Sequence, residues 1–205
     1  MSLVYCAIVP HPPVIVPEVG EDDIFAASVT VTAMKKIGKH FNASDIDSVI
    51  VISPHTKLAS FAMTISNSES YSGGFSDFNC ENVIICLPSD IQIINCLIRE
   101  SKKVNFPINI DYSGELDHGA SVPLYWIKKN TNYVFSLVEI GYSSLSFEKH
   151  FDFGQIIASV IKKSKKRIAL IISGDLSHRL FDSRYSLYGK EFDQKIKEIL
   201  LFQTH

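Results

Sequence analysis

The chain has 205 residues, 46% of them hydrophobic and 20% charged, with a formal net charge of -2 at pH 7. That length and apolar content suffice to bury the core of one domain, and the near-neutral balance excludes a chain-wide basic field that would hold nucleic acid. No stretch approaches the roughly 18 uninterrupted apolar residues of a membrane span, and no basic region precedes the first apolar segment, so a soluble, cytoplasmic protein is expected.

In chain order, residues 3–9 (LVYCAIV) predict a first strand, because they are β-rich and end at prolines. A helix is expected over 22–40, then strands over 48–53 (SVIVIS) and 61–66 (FAMTIS). Residues 67–82 (NSESYSGGFSDFNCEN) are the longest polar, glycine-bearing stretch and read as a mobile surface loop. A strand over 83–87 follows, then a helix over 89–103 with Ser89 as its N-cap. Helices over 121–129, 146–163 and 186–202 alternate with strands over 133–140 and 167–173. Several strands are apolar at nearly every position, the pattern of a sheet covered on both faces. The expected fold is α/β: one three-layer α/β/α domain around a central, mostly parallel or mixed sheet. The run KKSKKR (162–167) reads as a solvated loop, and the four cysteines, none in C-x-x-C, as buried thiols in a reducing compartment.

Three histidines stand just beyond predicted strands: His11 in VPHPP, His55 in SPHT and His178 in SGDLSH. The carboxyl ends of strands are where layered α/β proteins bind ligands. His118, in LDHGASVPLYW, precedes a short helix and can join them. Pro10, Pro12 and Pro54 stiffen the loops that present His11 and His55, which suits metal ligation because a rigid ligand loses less entropy on binding. Neutral imidazoles suit Fe, Zn and similar ions, and two histidines with one carboxylate around open positions mark non-haem Fe(II) oxygen chemistry. His40, His150 and His205 are expected to have surface roles. Asp175 is expected to cap the turn after strand 167–173, and Asp117 to orient a loop or a histidine. Tyr71, Phe75, Phe78, Tyr125 and Trp126 either pack the core or stack on an aromatic substrate.

The segments IVPHPPVIVPEVG (8–20), VISPHT (51–56), GGFSDF (73–78), LDHGASVPLYW (116–126), SGDLSH (173–178) and YGKEFD (188–193) resemble, in order, the motifs of the class III extradiol dioxygenase catalytic-subunit (LigB-type) superfamily. Within it they are most similar to the branch called AmmeMemoRadiSam system protein A, and also to the Memo proteins. The resemblance implies that His11 and His55 bind the metal and that His178 is the catalytic acid or base. It makes His118 a catalytic histidine that contacts the substrate or supports the metal-binding residues from behind. It implies Fe(II), with Zn as the alternative, and a small aromatic catechol-type substrate cleaved with dioxygen. A homodimer and an AMMECR1 domain or radical-SAM partner are also implied; a Memo-like metal-binding, redox or scaffold protein and a Zn-dependent hydrolase are the alternatives. In the dioxygenases the third ligand is a glutamate well downstream of the base, and in the Memo-like branches that region offers an E-C-G motif instead. No counterpart precedes His205: either the domain lacks its C-terminal portion, as expected here, or the third ligand comes from elsewhere, with Glu18 and Glu115 as candidate substitutes, or metal binding has been lost; Glu191 is expected to be a helix-surface residue.

Overall fold

The computed structural model describes residues 3–178 and 186–202, which divide into two compact units, Met1–Gly174 and Asp175–His205. The first unit runs β1 (Leu3–Val9), α1 (Pro17–Gly20), α2 (Ser28–Ala43), β2 (Ser48–Ser53), β3 (Met63–Ser66), β4 (Ser70–Phe75), β5 (Cys80–Pro88) and α3 (Ile91–Lys103). It continues with β6 (Ile108–Asp111), β7 (Glu115–Leu116), α4 (His118–Asn130), β8 (Ser136–Gly141), α5 (Phe147–Lys163) and β9 (Ile168–Ser173). The second unit holds α6 (Ser186–Phe202).

Six strands form the main sheet in the order β1-β9-β2-β8-β3-β6. The pairs β1–β9, β9–β2, β2–β8 and β3–β6 are parallel, and β3 meets β8 antiparallel. Successive side chains on a strand point to opposite faces, so each central strand feeds two cores. Val49, Val51, Leu137, Ala169 and Ile171 pack with Met34 and Phe41 of α2 and Leu124 and Trp126 of α4. Ile50, Val138 and Ile140 pack with Ile94 and Leu97 of α3 and Phe153 and Ile157 of α5. Burial on both faces is why these strands carry Val and Ile without alternation. The three layers match the expected α/β class.

Several local expectations are corrected. Residues 67–82 are not an open loop: β4 forms the centre of a second sheet, ordered β5-β4-β7. Gly73 and Gly74 belong to the strand because a Cβ would sit 2.5 Å from the Leu116 oxygen and 2.4 Å from the Val83 oxygen, respectively. The strand expected at 83–87 is part of β5, in that small sheet, and β6 and β7 are additional. The N-cap of α3 is Asp90, whose Oδ1 accepts from Ile93 N–H at 3.2 Å; Ser89 Oγ donates instead to the Ser68 carbonyl. Only Cys80 is buried; Cys6 and Cys86 are exposed and Cys96 half-buried, all as free thiols. The run 162–167 lies at the surface as expected, with Lys162, Lys163 and Lys165 exposed, but Lys162 and Lys163 end α5 and the last two residues of the run are anchored. Lys166 pairs with the buried Asp90 at 2.7 Å and Arg167 with Asp47 at 2.7 Å, tying the start of β9 to its neighbours.

In the second unit, Ser177 joins α6 through N–H to Asp193 Oδ1 (3.0 Å) and Oγ to the Gly189 carbonyl (3.3 Å). Among the described residues, no helix is long and apolar enough to cross a membrane.

Candidate metal centre

β9 lies between β1 and β2, with Ser173 pairing with Val9 and Ile172 with Ile52. The loops leaving β1 and β2 therefore emerge side by side at the carboxyl edge of the sheet. The first carries His11, 4% exposed, ahead of a short turn in which Ile15 N–H bonds the Pro12 carbonyl at 3.1 Å. The second carries the exposed His55 between Pro54 and Thr56.

The amino end of α4 rests on the same strand ends. Asp117 caps that helix: its Oδ1 accepts from Ala120 N–H (3.0 Å) and Ser53 Oγ (2.7 Å), and its Oδ2 from Thr56 Oγ1 (2.7 Å). Asp117 therefore ties the loop carrying His55 to the start of α4, one of the two roles the sequence left open. Close approach requires Gly119, where a Cβ would lie 2.5 Å from Ser53 Oγ and 3.1 Å from the His55 ring. His118, the first residue of α4, is thereby brought over the two loops.

The three rings converge. His11 Nε2 and His55 Nε2 are 3.1 Å apart, their ring planes at 88°. The His118 ring lies 4.1 Å from that of His55 and 5.8 Å from that of His11, centroid to centroid. One nitrogen from each of the three falls within 4.8 Å of the other two. A metal–imidazole bond is about 2.0–2.1 Å, so one ion can bridge nitrogens up to about 4 Å apart, and the His11–His55 spacing meets that limit.

The tautomer of His11 follows from the main chain. Pro123 lies inside α4 and has no N–H, so the Gly119 carbonyl four residues earlier lacks its helical donor. Ser173 Oγ donates to that carbonyl at 2.6 Å. Its single proton being committed there, the same oxygen accepts from His11 Nδ1 at 2.9 Å. With Nδ1 protonated, Nε2 carries the lone pair and faces His55, the arrangement of a metal-binding histidine oriented from behind. The chemistry of this donor set therefore fits a transition-metal ion.

His178 lies in the second unit, where its side chain is exposed and Nε2 stands 3.2 Å from Asp175 Oδ2. Asp175, expected to cap the turn, makes this contact with the histidine. Glu18 and Glu115 are not among the clustered groups. Glu18 accepts from the Tyr125 hydroxyl at 2.6 Å and pairs with Lys129 at 3.4 Å, while Glu115 is exposed on β7. Glu191 is exposed on α6. Tyr71, Phe75, Tyr125 and Trp126 belong to the buried core; the half-buried Phe78 reaches the centre, its ring 5.3 Å from that of His118. His40 is exposed, His150 is half-buried with Nδ1 2.9 Å from the Ser146 carbonyl, and His205 lies outside the described residues.

Sequence reasoning missed Ser53, Thr56, Ser173 and Pro123, which hold the centre. A polar residue ending an otherwise apolar strand, at Ser53 and Ser173, was the available signal.

The family model described as the catalytic LigB subunit of aromatic ring-opening dioxygenase matches residues 5–203. A curated relative, Protein CA_C1420 of Clostridium acetobutylicum, is 28% identical over 208 residues, covering 96% of this chain and 44% of its own length. The chain thus spans less than half of that relative. With the family's pattern matched along nearly its whole length, the chain belongs to the LigB family.

Proposed function

We propose that the chain is a non-haem Fe(II) protein of the extradiol type, acting on a small catechol-like aromatic with dioxygen. The observation that carries the reading is the 3.1 Å approach of His11 Nε2 to His55 Nε2, with the His11 lone pair directed inward by Ser173. His11 and His55 would hold the ion, with the His118 ring beside them placed to contact either the ion or a bound substrate. Bound iron supplies Lewis acidity and the one-electron chemistry that dioxygen requires. Phe78, edge-on to His118, offers an apolar wall to an aromatic ring. His178 takes the hydroxyl proton of the substrate, and Asp175 at 3.2 Å stabilises the imidazolium so formed.

A second reading rests on the donor set itself: three neutral imidazoles are equally the ligands of a catalytic zinc site, which supports a hydrolase or a Memo-like metal protein without ring cleavage. Protein purified without oxygen, reconstituted separately with Fe(II) and Zn(II) and analysed for bound metal, separates the two. Stoichiometric iron with a yellow ring-opened product from a catechol panel supports the first. Stoichiometric zinc with no ring opening by the iron form refutes it.

A further inference from the structure

Behind the ligand loops lies a carboxyl group that the metal chemistry does not use. Glu139 is 1% exposed on β8, on the same strand face as Leu137, and its Oε2 is buried with no hydrogen-bond partner. Its Oε1 lies 3.1 Å from Thr56 Oγ1, which is also 2.7 Å from Asp117 Oδ2. A threonine hydroxyl has one proton to give. Asp117 already accepts from Ala120 N–H and Ser53 Oγ as the cap of α4, and it is the nearer acceptor for the Thr56 hydroxyl. Thr56 then turns a lone pair toward Glu139, and a protonated Glu139 completes the contact.

We propose that Glu139 is a positioning residue for the metal centre: a neutral carboxylic acid that donates to Thr56 and so fixes the Thr56–Asp117 link between the His55 loop and the His118 helix. This rests on the metal reading above. Burial supports it, pushing the Glu139 carboxyl up to about 8, with Asp117 and then Asp111 acting in the same direction. The ionisable groups around it are Asp117 from α4, Asp111 from β6 with its partner Lys57, and Tyr71 from β4, whose own hydroxyl burial pushes up to about 12. None supplies a cation in contact with Glu139 in place of its proton.

A neutral donor is replaceable by an amide but not by a hydrocarbon. Co(II) affinity, measured by chelator competition on folded protein at pH 7, is therefore expected to stay within about threefold of the parent in Glu139→Gln. It should fall about 10–100-fold in Glu139→Leu and in Thr56→Val. Thr56→Val keeps the test alive if Glu139→Leu does not fold. The proposal is overturned if both hydrocarbon variants bind like the parent, or if Glu139→Gln falls as far as they do.

Denaturant unfolding of metal-free protein reads the proton separately. The folded-state value is raised, so the stability Glu139 allows is complete below the ordinary glutamate range and is lost as pH climbs from about 4.5 through about 8. The parent should lose stability over that window relative to Glu139→Gln; parallel profiles overturn the neutral-acid assignment. A parent that takes up no Co(II) but shows the pH difference overturns the metal reading, and the positioning role with it, while leaving the buried proton established.

Discussion

Ser173 Oγ stands 2.9 Å from His11 Nδ1, joining two residues 162 positions apart in sequence. The contact exists because Pro123 leaves the Gly119 carbonyl without a helical donor, and Ser173 answers it, which turns its own lone pair to the histidine. A helix-breaking residue in one element thus sets the tautomer of a ligand in another. Replacing Ser173 with Ala removes that control. We expect metal affinity to fall about 10–100-fold, and apo stability to fall by about 1–3 kcal/mol through the unsatisfied buried Gly119 carbonyl and His11 nitrogen. Chelator competition and thermal unfolding of the same preparations read the two effects.

The histidines are expected to separate into classes. His11→Ala and His55→Ala should each abolish stoichiometric metal binding, because each removes one of the two nitrogens that meet at 3.1 Å. His178→Ala should keep the metal and lose proton-transfer rate, on the order of 10²–10⁴-fold in turnover. Elemental analysis beside single-turnover kinetics checks this. A metal-free but folded His178→Ala protein would contradict the assignment.

Glycine substitutions provide a matched pair. At Gly119 an added methyl would press on Ser53 Oγ at 2.5 Å and Asp117 Oδ1 at 2.8 Å, so Gly119→Ala should cost about 1–3 kcal/mol and displace the His118 helix. At Gly154, exposed in α5, the same methyl meets nothing within 4 Å, and Gly154→Ala should gain about 0.5–1 kcal/mol. Denaturant midpoints of the two variants should move in opposite directions.

Asp90 governs acid stability at the opposite edge of the sheet. Burial alone would raise its carboxyl, but Lys166 at 2.7 Å and the Ile93 amide outweigh that and hold it below the usual range. A lowered folded-state value means that the stability is present above about 3.8 and is lost as pH falls below it. Asp90→Asn should therefore be less stable than the parent at pH 7 by about 1–3 kcal/mol, with the gap closing toward pH 3. Urea unfolding at the two pH values measures the difference.

The strands of the main sheet were legible because burial on both faces forces unbroken Val and Ile runs, as in SVIVIS and IALIIS. The second sheet was not. SYSGGF carries two glycines and reads as a loop, and its reason for being a strand is the Leu116 and Val83 oxygens that press against those glycines from distant segments. The same limit applied to Ser89 and Asp90. Both are capable caps, and the choice between them depends on the Ser68 carbonyl and Lys166, neither of which is local.

The sequence by itself determined the layered α/β class and the placement of His11 and His55 just past strand ends, since apolar periodicity and proline are local properties of the chain. The tertiary structure decided which nitrogens meet, that Phe78 rather than Tyr71 or Trp126 borders them, and that Ser173, Thr56 and Glu139 stand behind them. Those outcomes depend on strand order and helix docking, which bring residues more than a hundred positions apart within hydrogen-bonding distance, and no run of neighbouring residues encodes such a distance.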